Sequence, residues 1–196
     1  MKRSFIFALT LSAFLGFILF TIFLFIQSRP APKNLPVLGE IHDFQLTDQN
    51  EKLFSSQQLQ GKVWVADLFF TTCGSICPLM NKNMAKLYRS YQLGKNVVFV
   101  SISVNPEQDT PAVLQQYARK YQGNQGPWYF LTGSRDEITK MVVNDFKLGT
   151  IENPIFHSSK FILVDGQGKI RGYYDGTSEQ EITELFKDIA VLMKSL

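Results

Sequence analysis

Two cysteines and two histidines are all the thiols and imidazoles in this chain of 196 residues. No acidic residue precedes Glu40, and residues 4–26 hold no charge of either sign. There is no internal repeat and no low-complexity tract. Each scarcity excludes something. With one cysteine pair at most, the fold is not a disulfide scaffold, and a body of this size buries an adequate core without staples. The missing N-terminal acids make the net charge of +3 misleading. Four of the twenty basic residues lie before Glu40, leaving sixteen against seventeen acidic ones in the rest. A body so balanced gives no reason to expect nucleic acid as a partner.

The uncharged run 4–26, "SFIFALTLSAFLGFILFTIFLFI", reaches the roughly 20 apolar residues that a bilayer core requires of a helix. Its sixteen Phe, Leu and Ile residues favour insertion by about 5 to 10 kcal/mol. A cleaved signal peptide has a shorter apolar core and a small-residue cleavage site. Here "QSRPAPK" follows instead. The expected order is a cytoplasmic tail (1–3), an uncleaved anchor (4–26), a stiff Pro-rich linker (27–39) and a folded body (40–196). Lys2 and Arg3 on the short tail favour an inside N-terminus, although Arg29 and Lys33 flank the other end. The body is then expected on the periplasmic side of the inner membrane, where thiols can oxidise.

Within the body, "DFQLTDQNEKLFS" alternates around a turn at 48–50 and predicts a hairpin. "KVWVADLFF" and "NVVFVSISV" are nearly continuous apolar runs, as expected of parallel strands covered on both faces. Between them, Met80, Met84, Leu87, Tyr88 and Tyr91 recur at helical spacing ahead of Gly94. Thr110-Pro111 opens a second helix. Ser134 with Glu137, and Ser178 with Glu181, are capping-box patterns for two more. "WYFLTG" supplies a strand, and "KFILVDGQGKIRGYYDG" a hairpin turning at 165–168. The order hairpin, β, α, β, α, β, α, β-hairpin, α predicts a thioredoxin-like α/β fold with an N-terminal hairpin extension.

Both cysteines, Cys73 and Cys77, sit in "FFTTCGSICPLM", on the turn from the first core strand into its helix. Donors at a helix start favour thiolates, which are better nucleophiles and better metal ligands. Three roles compete for the pair. A structural disulfide across so short a loop stabilises by only about 2 kcal/mol. A redox dithiol of thioredoxin type has two intervening residues, whereas this chain has three. Four-residue separation near a helix places the second side chain about one turn from the first, so both sulfurs can reach one metal ion. Of the two histidines, His42 beside the hairpin reads as a surface residue. His157, in the loop entering the last hairpin, should face the cysteine corner. Two thiolates and an imidazole suit copper, with zinc as the rival.

Four motifs in order resemble the Sco/SenC family: CxxxCP at 73–78, "SVNPEQDTP" at 103–111, "LTGS" at 131–134 and "HSSKFILVDGQG" at 157–168. The resemblance runs from about residue 40 to the C-terminus. It implies a membrane-anchored, thioredoxin-like copper protein that assists assembly of cytochrome c oxidase, with Cys73, Cys77 and His157 binding Cu(I) or Cu(II). The implied partners are the copper-binding subunit of the oxidase and an upstream periplasmic copper donor or thiol reductase. The resemblance also leaves room for a thiol–disulfide reductase that keeps the oxidase cysteines reduced through Cys73 and Cys77. A thiol peroxidase fits less well, because the Thr expected three residues before its Cys-Pro is Gly74 here. The family commonly reads CPDVCP and DPERDTP. "CGSICP" and "NPEQDTP" keep the cysteines but remove charge around them, and the segment before His157 is short.

The mature chain is expected to keep residues 4–26 and to expose its body on the outer face. N-terminal sequencing checks the first point, and a reporter fused after Leu196 checks the second. A mature N-terminus near residue 30, or a reporter active only in the cytoplasm, would contradict the expectation.

Overall fold

The computed structural model describes residues 17–21, 34–94, 96–121, 126–150 and 158–196. The chain divides into two compact units, Met1–Asn34 and Leu35–Leu196. Of the run expected as an anchor, only residues 17–21 are described; they are helical, and the remainder lies outside the described residues. No helix among the described residues is long and apolar enough to cross a membrane.

The second unit is one eight-stranded sheet between two layers. Its strands are β1 (Gly39–Glu40), β2 (Gln45–Asp48), β3 (Leu53–Ser55), β4 (Val63–Phe69), β5 (Val97–Ser103), β6 (Trp128–Thr132), β7 (Lys160–Val164) and β8 (Lys169–Asp175). They lie in the order β1-β8-β7-β4-β5-β6-β2-β3. The helices are α1 (Cys77–Tyr91), α2 (Pro111–Lys120), α3 (Arg135–Lys140) and α4 (Glu179–Met193). β4, β5 and β6 run parallel, and the two predicted hairpins add antiparallel strands on either side. The thioredoxin-like order read from the sequence is the order found.

β4 and β5 are buried at every position, which explains why both are nearly continuous apolar runs. Along β4, Val63, Val65 and Phe69 enter a core shared with α1, α2 and α4. Trp64, Ala66 and Leu68 enter a second core on the other face, under α3 and the β2–β3 hairpin. Helix α1 presents Met80, Met84, Leu87 and Tyr88 to the first core. It is further fixed by the buried Asn83, whose Nδ2 donates to the Gly176 carbonyl just beyond β8 (2.8 Å).

Local signals acted much as read, with some differences. At Ser134 both halves of the capping box form. At Ser178 only one does: its hydroxyl accepts from the Glu181 amide, while the Glu181 carboxylate accepts from the Asp175 amide (2.6 Å). Thr110 occupies the N-cap of α2 without a side-chain hydrogen bond; Pro111 sets the helix start there. Helix α3 does not run on regularly toward Gly149. After Lys140 it widens into a π-helical turn, Met141–Asp145, and left-handed Lys147 (φ 57°) and Gly149 (φ 83°) lead the chain away. β1 was not anticipated. Two residues of pairing with β8 and a buried Leu35, whose carbonyl accepts from Arg171 (2.6 Å), draw the end of the expected linker into the folded unit.

Replacing Asn83 with Ala should leave the Gly176 carbonyl buried without its partner and cost about 1 to 3 kcal/mol. Urea unfolding of the reduced protein should show the loss as a lower midpoint with an unchanged slope.

Candidate metal centre

β4 delivers the cysteine segment at its C-terminal end. The chain turns at once: the Cys73 amide donates to the Phe70 carbonyl (3.1 Å). Cys77 is then the first residue of α1, with Pro78 behind it. The helix starts from Ile76 without a side-chain cap, and its first turn holds no acidic residue. Pro78 has no amide hydrogen and the Leu79 and Met80 amides donate to the Ile76 carbonyl, so the Cys77 amide is the helix-start donor that reaches sulfur. Both side chains are buried, Cys73 at 7% and Cys77 at 3% exposure, beneath a loop in which Thr72, Gly74 and Ser75 are exposed. No disulfide joins them.

The two thiols are not equivalent. Burial works to raise the Cys73 pKa, but hydrogen bonds from the Cys77 thiol, the Cys77 and Ser75 amides and the Ser75 hydroxyl outweigh it and bring Cys73 to about 6. The Ser75 Oγ lies 3.6 Å from its sulfur. Cys77 moves the other way, pushed up to about 12 by burial and by its hydrogen bond to Cys73, with the Phe70 amide offsetting only part of the rise. The two shifts run in opposite directions, so Cys73 is the thiol that ionises first and Cys77 the one that keeps its proton.

A buried carboxyl stands in the same strand. Asp67 is fully buried. Its Oδ1 accepts from the Ser101 hydroxyl (2.6 Å), which itself accepts from Trp128 Nε1 (3.0 Å), and its Oδ2 has no hydrogen-bond partner among the described residues. Burial raises its pKa to about 7 against the help from Ser101. Sequence reading passed over this residue inside "KVWVADLFF", although one acid in an apolar run of strand type was the available signal. Asp109, inside "NPEQDTP", was equally passed over. It is fully buried and reaches across to the cysteine turn.

Of the predicted ligands, the structure brings Cys73 and Cys77 together. His157 lies outside the described residues. The chain enters β7 at the end of the sheet where β4 delivers the cysteines, because the two strands are antiparallel neighbours paired through Ala66 and Ile162. His42 is exposed, as expected of a surface residue, but it has a specific partner: its Nδ1 is 2.6 Å from Asp145 Oδ1. The pair lines a cavity of about 520 Å³ with Phe44, Leu46, Lys140 and Met141. Among the described residues, no group of three or more His, Cys, Asp or Glu side chains is placed to hold a metal ion.

The SCO1/SenC family model matches residues 37–194, nearly the whole of the second unit. The chain belongs to the SCO1/SenC family. Its relatives include the SCO1 protein homolog of Bacillus subtilis, 33% identical over an alignment of 161 residues that covers 79% of this chain and 83% of the relative. BsSco, described as a member of the Sco family of cytochrome c oxidase assembly proteins with a disulfide switch, superposes with a TM-score of 0.71. It shares 32% identity over 82% of this chain and 98% of its own. ScoI of Bradyrhizobium japonicum, solved with copper bound, gives a TM-score of 0.62 at 26% identity, over 78% of this chain and 99% of its own.

Asp67 makes the stability of this SCO1/SenC domain depend on pH. Its folded-state pKa is raised, so its contribution is complete below the unfolded value of 3.8 and is lost as pH rises toward about 7. The loss amounts to roughly 4 kcal/mol between pH 4 and pH 8. Asp67→Asn keeps an uncharged group of the same shape beside Ser101 and should abolish that part of the slope. Urea titrations of wild type and variant at pH 5 and pH 8, with thiols reduced, should therefore find the variant gaining on wild type at the higher pH. Parallel pH profiles would contradict the assignment.

Proposed function

We propose that this protein is a copper chaperone that binds copper through Cys73, Cys77 and His157 and assists metallation of a copper centre of cytochrome c oxidase. The observation that carries the reading is the dithiol itself. Two sulfurs are held together and unjoined at an uncapped helix start, one of them already acidic, in a chain of a family whose members are described with bound copper and in oxidase assembly. The donor set fits: soft thiolates select Cu(I), and an added imidazole with an open position also accommodates Cu(II). Copper is the cargo, and the protein's part is to present ligands. Cys73 offers its sulfur without prior loss of a proton, whereas Cys77 must release one when metal binds. The entry of β7 beside the cysteine turn supports His157 as the third ligand. The apolar run 4–26 would hold the body at the outer face of the inner membrane, close to an oxidase subunit.

One observation favours a second reading, a thiol–disulfide reductase acting on the oxidase cysteines. An acidic Cys73 before a buried, protonated Cys77 is the arrangement of an attacking and a resolving thiol. Metal analysis with a thiol count on the reduced body, residues 33–196, separates the two. Stoichiometric copper with both thiols reduced supports the chaperone, while a copper-free disulfide with reductase activity supports the rival.

Copper and the disulfide should exclude each other, since both use the same sulfurs. Cys73→Ser and Cys77→Ser should each lose tight Cu(I) binding, and pre-bound Cu(I) should slow alkylation of both cysteines together. His157→Ala should weaken Cu(II) strongly and Cu(I) less, with His42→Ala nearly silent toward either ion. Uptake of one equivalent of copper by disulfide-locked protein would refute the shared site.

A further inference from the structure

Asp109 lies in the turn between β5 and α2, with no solvent exposure. Three donors converge on its carboxylate. The Thr71 amide (3.0 Å) and the Ser103 hydroxyl (2.5 Å) both reach Oδ2, and the Thr71 hydroxyl reaches Oδ1 (2.5 Å). Two of the three come from the residue two positions before Cys73. The third comes from the last residue of β5, the neighbour of β4 in the sheet.

Both sides of this junction are otherwise restrained. On the Asp109 side, the Gln108 and Asp109 amides both donate to the Asn105 carbonyl (3.1 and 2.9 Å), and the Asn105 amide donates to Ser103 Oγ (3.1 Å). Pro106 and Pro111 fix the backbone at either end of the turn. Arg135 at the start of α3 donates to the Val104 carbonyl (2.9 Å) and pairs with Glu107. On the cysteine side, the Cys73 amide donates to the Phe70 carbonyl and closes the turn. Phe70 also supplies the amide that reaches the Cys77 sulfur. Thr71 sits between these two contacts. A restraint on Thr71 therefore bears on the turn that carries Cys73.

We propose that Asp109 is a positioning residue for the dithiol: by gripping Thr71 through both its amide and its hydroxyl, it holds the Phe70–Cys73 turn in the conformation that presents two separate sulfurs at the start of α1. The copper half of this inference rests on the function proposed above; the dithiol half does not. The alternative role for a buried carboxylate with three donors is a structural brace between β5 and its turn. The two roles differ in what responds. A brace affects stability alone, whereas a positioning residue also shifts the equilibrium between dithiol and disulfide, and the affinity of the reduced pair for metal.

The test uses the full chain in detergent and four variants. Thr71→Val removes only the hydroxyl half of the grip, and Asp109→Asn turns one acceptor into a donor. Ser103→Ala removes the β5 contact to the same carboxylate without touching Thr71, and Thr71→Ser restores the hydroxyl. For each, urea unfolding measures stability, glutathione redox buffers measure the dithiol–disulfide equilibrium, and competition with a chromophoric chelator measures Cu(I) affinity. Thr71→Val and Asp109→Asn should shift the redox equilibrium about tenfold toward the disulfide and weaken Cu(I) about tenfold. Ser103→Ala, although less stable, should stay within twofold of wild type in both, as should Thr71→Ser. If Asp109→Asn does not fold, Thr71→Val against Ser103→Ala decides. A redox equilibrium within twofold of wild type in Thr71→Val would overturn the proposal, as would an equal shift in Ser103→Ala. Wild type that binds no Cu(I) would sink the chaperone reading, and the redox comparison would still decide the role of Asp109.

Discussion

The burial of β4 on both faces is the constraint on which the rest of the structure depends. Its side chains divide between two cores, one under three helices and one under α3 and the N-terminal hairpin. Parallel pairing with β5 and antiparallel pairing with β7 leave it no edge. A strand locked in this way has little freedom at its exit, so the turn that follows begins from a fixed point. That is the setting in which a few hydrogen bonds, from Phe70, Ser75 and the amides near Cys77, can determine which of two neighbouring thiols gives up its proton.

Against this background Asp67 is a local conflict. It places a carboxyl where every other residue of β4 is apolar and satisfies only one of its oxygens. Burial raises its pKa, and its charge in turn contributes to the rise at Cys77. Fold and site thus draw on the same strand for different ends. The apolar positions of β4 stabilise the domain, and the one polar position lowers its stability once the pH passes the carboxylate range.

Much of the fold was legible because strong local signals agreed with the tertiary outcome. The runs at β4 and β5, the helical spacing of Met80, Met84, Leu87 and Tyr88, and the turn at Asp165–Gly168 all name their own element. Gly168 adopts φ 77° in that turn, and Asp165 accepts from the Gln167 and Lys169 amides. "LTGS" proves to be architectural: a Cβ on Gly133 would come within 2.4 Å of Leu46, and Ser134 caps α3. What escaped sequence reading depends on distant partners. β1 forms because β8 offers an edge, the π-helical turn buries Val142, and Phe146 after it, in the second core, and His42 finds Asp145 across 103 positions. At the site, spacing identified the cysteines, but no local pattern showed that Asp109, 38 positions past Thr71, closes around the same turn.

The uncharged stretch around the cysteines has its own consequence. From Leu68 to Asn81 the sequence carries no Asp, Glu, Lys or Arg, so the formal charge of the segment is set by sulfur alone. With Cys73 ionised and Cys77 protonated it is −1. Two thiolates around a Cu(I) ion also give −1, whereas a disulfide gives zero. With Cu(I) held as proposed, the empty reduced form and the loaded form would present the same charge to whatever approaches this corner, and oxidation is the change that would erase it.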